Sequence, residues 1–270
     1  VLGMRLDVAL VERGLEPSRA KAKASIAAGL VFVNGRNVTK ASLGVDDGDA
    51  IEVQGTACAY VGRGGLKLEH ALRAFGLDIQ GMTCVDVGSS TGGFTDCMLS
   101  FGAARVFSID VGHDQLAPKL LADPRVVSLE GIDARSVTSE TLGGPADFAA
   151  TDVSFISLDK VLTPMAGMIR EGASAVCLIK PQFEAGRTAL NKKGVVKDVR
   201  VHQSVIEQVL SEAQCAGFTV CGLDFSPISG GDGNIEYLMH IRKGSPSPDE
   251  SVPIFDIPAL VQAAHAVHAG

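Results

Sequence analysis

Thr83-Cys84-Val85-Asp86-Val87-Gly88-Ser89-Ser90-Thr91-Gly92-Gly93-Phe94-Thr95 is an apolar run that breaks into small residues and then resumes. It reads as a buried strand turning through a glycine-rich loop into a helix. Downstream the chain keeps alternating. Strands are expected at 83–87, 105–110, 126–130, 146–151, 174–179, 218–225 and 235–242, with helices near 91–101, 114–122, 157–169 and 200–216. Strands alternating with helices signal a parallel sheet. The last two strands are joined only by Ser226 to Asn234, too short for a crossover, so they must run antiparallel. The expected class is α/β, a mostly parallel seven-stranded sheet ending in one antiparallel hairpin.

Open sheets of this kind bind ligands beyond the carboxyl ends of their strands. The loop after the first strand lacks the lysine of a P-loop and is not G-x-G-x-x-G, which argues against a nucleoside triphosphate or a dinucleotide. Four polar residues point to the same edge. Asp152 in Thr151-Asp152-Val153-Ser154-Phe155 and Lys180 in Ile179-Lys180-Pro181-Gln182-Phe183 each end an apolar run. Glu236 in Asn234-Ile235-Glu236-Tyr237 opens another. Lys67, in Gly64-Gly65-Leu66-Lys67, rides a helix over 66–75, off the stripe made by Leu68, Leu72 and Phe75. Two amines and two carboxylates converging at a strand edge suit proton transfer.

This Lys67-Asp152-Lys180-Glu236 set resembles the tetrad of FtsJ-type RNA ribose 2′-O-methyltransferases, and the wording around it resembles the TlyA family of rRNA methyltransferases. The hairpin-ended sheet is similar to the Rossmann-like methyltransferase fold. The resemblance implies S-adenosylmethionine as cofactor and a ribose, in the TlyA case a cytidine, of rRNA in ribosomal subunits as target. S-adenosylmethionine has an amino acid end and no phosphate. Asp86 is then expected to face its ammonium, while amides of the loop Gly88, Ser89, Thr91, Gly92, Gly93 and Phe94 take its carboxylate. Asp110, ending the next strand, would accept from the ribose hydroxyls, and Asp133 from the adenine amino group.

A ribose 2′-hydroxyl is a weak acid and a poor nucleophile, so an enzyme must align it and remove its proton. Two roles are open to Lys180: a neutral base, or an ammonium that stabilises the developing alkoxide. Base methylation is the chemical rival. No Pro-Cys pair announces a cytosine C5 nucleophile, and the place of Asn/Asp-Pro-Pro-aromatic is taken by Asp152-Val153-Ser154-Phe155. Phe155 and Phe183 either stack a flipped nucleotide or belong to the core.

The beginning of the chain has its own pattern. Leu6 to Arg13 and Arg19 to Ala28 read as helices closed by Gly14 and Gly29, the second capped by Ser18. Leu30 to Val33 and Arg36 to Val38 flank Asn34-Gly35, a strong hairpin signal, and Ala50 to Val53 forms a last strand. Leu-Asp-x-x-Leu, Ser-Arg and Ile-x-x-Gly-x-Val-x-Val-Asn-Gly resemble the S4 RNA-binding domain. That resemblance implies RNA contacts by Arg5, Arg19, Lys21, Lys23 and Arg36, with Arg63 near the join. Net charge is −7, yet residues 1–40 hold seven basic and three acidic side chains.

The expected organisation is an S4-like domain at 4–53, a linker at 54–63 that includes Gln54-Gly55-Thr56, a methyltransferase domain at 64–243 and a tail at 244–270. Val1 to Gly3 read as a scar before Met4, and no signal peptide or membrane span is evident. Six cysteines without CxxC spacing suit a reducing cytoplasm, and the scattered histidines suggest no metal site. Glu184 to Arg200, with five basic residues against two acids, is either a mobile RNA clamp or a solvated loop. After the Ser245-Pro246-Ser247-Pro248 linker, Ala259 to Val267 suits a short helix that packs, self-associates or stays disordered. Two other classes stay open: a membrane-active haemolysin-like protein, and an RNA-binding protein without catalysis.

Overall fold

The computed structural model describes residues 4–16, 18–27, 29–53, 59–230, 233–247 and 250–268. The expected linker core Gln54-Gly55-Thr56, the start Val1 to Gly3, Ala28, Cys58 and Pro248 lie outside them. The chain divides into two compact units, Val1–Ala59 and Tyr60–Gly270.

The first unit holds β1 (Met4–Arg5), α1 (Leu6–Glu12), α2 (Arg19–Ala27), β2 (Val31–Val33), β3 (Arg36–Asn37), β4 (Gly44–Val45) and β5 (Ile51–Val53). The order β3-β2-β5 makes one antiparallel sheet, and β1 pairs with β4. Asn34 and Gly35 both take positive φ, 50° and 74°, as the tight turn between β2 and β3 demands. The β1–β4 pair was not foreseen, because two-residue strands carry no periodicity. Leu6, Leu10, Ile26, Val31 and Val45 form this unit's core.

The second unit opens with α3 (Gly64–Ala74) and continues through β6 (Thr83–Val87), α4 (Gly93–Ser100), β7 (Arg105–Asp110), α5 (Pro118–Leu121), β8 (Val126–Glu130), β9 (Ala146–Thr151) and α6 (Asp159–Met168). It ends with β10 (Ile169–Ile179), α7 (Pro181–Glu184), α8 (Val199–Cys215), β11 (Phe218–Phe225), β12 (Tyr237–Lys243) and α9 (Ile257–His268). The sheet order is β11-β12-β10-β9-β6-β7-β8. β12 slots between β10 and β11, antiparallel to both, and the other neighbours pair in parallel. From β6 the chain winds outward through β7 and β8, then returns to lay β9 on the other side of β6. That reversal opens a crevice at the carboxyl ends of β6 and β9.

Side chains of β6 alternate between two buried faces. Val85 and Val87 join the core under α6, α8 and α9, whereas Asp86 points to the other face and bonds to Thr95 of α4. Expected and observed elements differ mainly at their ends. The helix expected from 91 starts at Gly93, because Gly92 has φ 95° and cannot continue helical backbone. The one expected over 114–122 shrinks to Pro118–Leu121, with Asp114 at φ 55° ahead of it. β10 begins five residues early, beyond an irregularity between Ile169 and Ser174. Tyr60 and Val61, read as part of the join, are fastened to the second unit: Tyr60 Oη donates to Glu69 at 2.8 Å and Val61 N–H to Asp96 at 2.8 Å. Of the outcomes open to the tail, packing is observed, since Val261 and Ala264 of α9 are fully buried in the main core.

Candidate active site

Four separate stretches meet at the crevice. Lys67 lies one turn into α3 and is 7% exposed; its ammonium pairs with the carboxylate of Glu236, just before β12 and 2% exposed. Gln182 Nε2 donates to the other oxygen of Glu236 at 3.4 Å. Lys180 follows the last residue of β10, and its Nζ sits 2.5 Å from Asp152 Oδ1. It also donates to Ser154 Oγ at 3.0 Å and lies 5.7 Å from the centroid of the Phe183 ring. The four expected residues thus form two pairs, the buried Lys67 with Glu236 and Lys180 with the partly exposed Asp152. Each pair joins a residue at a strand end to one from a distant part of the chain.

Three cavities meet around the second pair. A narrow one of about 210 Å³ runs between Gly88–Phe94 and Gly62–Gly64, with Asp152 and Lys180 in its wall. A second, about 500 Å³, runs from Gly88 and Asp152 to Asp110 and Asp133. A third, about 720 Å³, is lined by Lys180, Gln182, Glu236, Phe155 and Phe183. Ser154 lines all three. Its place two residues after Asp152 is the signal of that in the sequence. Lys67 lines none and reaches the site only through Glu236.

The loop after β6 is tightly folded. Gly88 has φ 83°, and a side chain there would press on the Asp152 carbonyl at 3.1 Å, so only glycine lets the β6 and β9 loops touch. The amides of Gly88 and Ser89 both donate to Ile109 O, that of Ser90 to Asp110 at 2.7 Å, and that of Gly92 to Ser89 O. Those amides are therefore committed inside the loop. The amides of Thr91, Gly93 and Phe94 find no acceptor among the described residues.

Asp86 departs from expectation. It is fully buried and lines none of the three cavities; Oδ2 accepts from Thr95 N–H at 2.9 Å and Thr95 Oγ1 at 2.6 Å. Strand alternation turns it under α4 and away from the crevice. Burial pushes its carboxyl up to about 7, against the Thr95 bonds, and Oδ1 finds no partner among the described residues. Asp110 does face the second cavity, although each of its oxygens already holds a backbone amide, from Ser90 and from Gly112. Asp133 also faces it. Its carboxylate grips Arg135 at 2.6 Å, a bond that holds the carboxyl at about 2.

Phe155 is 92% exposed with φ 62°, and its ring lies 5.0 Å from that of Phe183. A core role for Phe155 is thereby removed. An exposed aromatic on left-handed backbone is costly unless something uses it.

Of the expected RNA contacts, Arg5 and Arg19 both lean on Asp7, which is fully buried; each bond is 2.9 Å. Lys21, Lys23 and Arg36 pair with no carboxylate among the described residues. Arg63, in the second unit, donates to Ser229 O at 3.2 Å and lines the narrow cavity. Among the described residues no helix is long and apolar enough to cross a membrane.

The geometry can be set beside known proteins. The FtsJ-like methyltransferase profile matches residues 60–243 and the S4 domain profile residues 4–51. The chain is 42% identical to the 16S/23S rRNA (cytidine-2′-O)-methyltransferase TlyA of Mycobacterium tuberculosis, over 88% of this chain and 89% of that one. It is likewise 42% identical to Hemolysin A of Brachyspira hyodysenteriae, over 88% of this chain and 99% of that protein. A solved structure of a hemolysin-named protein from Streptococcus thermophilus superposes with a TM-score of 0.78 at 43% identity, covering 99% of this chain and 98% of the other. That coverage takes in the tail, which lies outside the methyltransferase profile. The chain belongs to the FtsJ-like methyltransferase family, in the S4-bearing branch that includes TlyA.

Proposed function

We propose that this protein moves the methyl group of S-adenosylmethionine onto the 2′-oxygen of a cytidine ribose in rRNA of the ribosomal subunits. The observation that carries the reading is the meeting of three cavities at Lys180, Asp152 and Ser154. One cavity suits a nucleoside, with Asp110 and Asp133 along its wall. Another, open beside the Phe155–Phe183 pair, suits a nucleotide turned out of its strand.

When bound, the cofactor supplies a methyl already activated on sulfonium. The chain's own residues do the rest. The amides of Thr91, Gly93 and Phe94 are the loop donors available to the cofactor's carboxylate. Asp152, which lines both inner cavities, is better placed for its ammonium than Asp86, whose part is to hold α4 and the loop. Lys180 meets the 2′-hydroxyl. As the O–C bond forms and the S–C bond breaks, the hydroxyl proton must leave: either Lys180 takes it, or Lys180 stays an ammonium that stabilises the alkoxide while the proton passes to solvent water. Glu236 and Gln182 flank the acceptor side, and Lys67 balances Glu236.

The test is transfer of label from S-adenosylmethionine to unmodified ribosomal subunits. A 2′-O-methyl blocks alkaline cleavage, so one gap should appear in the hydrolysis ladder. Lys180→Ala should abolish transfer while cofactor binding persists, and label on a base, or an active Lys180→Ala, would refute the mechanism. The hemolysin names of relatives call for a liposome leakage assay in parallel. Leakage without transfer would replace the reading, and RNA binding with neither would leave a scaffold.

A further inference from the structure

The loop over 191–197, folded back on itself by the Gly194 N–H to Asn191 O and Asn191 N–H to Val195 O bonds, has two sides. Gly194 lines the acceptor cavity with Asn234, whereas Val195 and Val196 line a rear cavity of about 690 Å³. Lys192, Lys193 and Lys197 from the loop and His265 and His268 from α9 complete its wall. Among the described residues no carboxylate and no benzenoid ring lines it.

The wall between the cavities is firmly held. Asn234 Nδ2 donates to Gly194 O at 3.2 Å, and its Oδ1 accepts from Val196 N–H at 3.3 Å. The buried His202 donates from Nε2 to Val196 O at 3.0 Å and, through Nδ1, accepts from Tyr237 Oη at 2.8 Å. Most basic side chains of the second unit are neutralised by a neighbouring carboxylate. Among the described residues Lys192, Lys193 and Lys197 are not, and the adjacent Asp198 accepts from Arg200 N–H to cap α8. His265 packs edge-on against His202, ring centroids 4.8 Å apart, and its buried Nε2 has no hydrogen-bond partner among the described residues. His268 Nε2 donates to Ser226 O at 2.9 Å.

Three ammonium groups without a carboxylate partner among the described residues dominate this wall, and its one side-chain amide, Asn191, already accepts from the Lys193 and Val195 N–H groups through Oδ1, so the cavity suits phosphate oxygens better than base edges. We propose that the rear cavity binds the phosphodiester backbone of the substrate RNA beside the target nucleotide, α9 forming its second wall. This rests on the reading of rRNA as substrate. Neighbouring residues of one loop line both cavities, Gly194 the acceptor side and Lys192, Lys193 and Val195 the rear, so an RNA strand delivering a nucleotide to Lys180 would carry its neighbouring phosphates past Lys192 and Lys193. The contact is indifferent to sequence; it adds grip and register.

Full-length protein is titrated with rRNA and with a single-stranded RNA of scrambled sequence across a range of salt. For Lys192→Gln/Lys193→Gln/Lys197→Gln, the slope of log K against log salt should become shallower by roughly 2 on both RNAs, at about 0.7–0.9 per lost contact. S-adenosylmethionine affinity should be unchanged and methyl transfer restored at saturating RNA. His265→Gln/His268→Gln should weaken both RNAs several-fold. An unchanged slope in the lysine variant overturns the proposal. So does a lowered slope with wild-type affinity in the histidine variant, which would make the lysines an open loop with no cavity behind it. A protein that shows these slopes but transfers no methyl group refutes the substrate reading and leaves the phosphate site standing.

Discussion

Lys67 and Glu236 stand 169 positions apart in the chain and share one buried ion pair. Removing one partner strands the other charge out of water, at a cost of about 3–5 kcal/mol, while replacing both with apolar groups is often close to neutral. Glu236→Ala should therefore lower the unfolding free energy by about that amount. Lys67→Met/Glu236→Leu should recover most of it and still transfer no methyl group. Denaturant melts of the three proteins, read beside the transfer assay, check both halves. A double variant as unstable as the single one would show that the pair holds the fold together. The Lys180–Asp152 pair differs by lying where three cavities meet, so Asp152→Ala is expected to cost activity more than stability.

At the scale of elements, the β6–loop–α4 unit depends on Asp86. Its carboxyl titrates near 7 in the folded protein and near 4 when unfolded. Between those values the folded state holds a proton that the unfolded state has lost. Stability from this group is thus fully present below about 4 and declines as pH rises toward 7, by up to about 1.4 kcal/mol per pH unit. Asp86→Asn keeps an oxygen for the Thr95 bonds and cannot ionise. It should flatten that part of the stability–pH curve, measured by denaturant melts from pH 4 to 8. An unaltered curve would mean that Asp86 is ionised throughout, its charge compensated inside the fold. The strand alternation that buries Asp86 was readable from Val85 and Val87. Which of the two faces met the ligand was not, because both are covered by helices.

For the whole molecule, the net charge of −7 conceals two groups of cations that lack carboxylate partners among the described residues. Lys21, Lys23, Arg36 and Lys40 form one, in the first unit; Arg187, Lys192, Lys193, Lys197 and Arg200 form the other, in the second. Arg5 and Arg19 belong to neither, since Asp7 holds both. Lys21→Glu/Lys23→Glu/Arg36→Glu should consequently weaken RNA binding and flatten its salt dependence more than the same reversal at Arg5 and Arg19. Filter binding over a salt series measures both. Equal effects would mean that Asp7 releases its arginines to RNA.

Local pattern was enough to give the alternation of strands and helices, the hairpin at Asn34-Gly35, the glycine-rich loop and the identities of the four polar residues at the sheet edge, since each is written within a few neighbouring residues. Strand order, the insertion of β12 between β10 and β11, the pairing of Lys67 with Glu236 and of Lys180 with Asp152, the burial of Asp86 and the packing of α9 were settled only in three dimensions. These depend on contacts between residues far apart in the chain, and a one-dimensional period shows that a side chain is buried without showing against what.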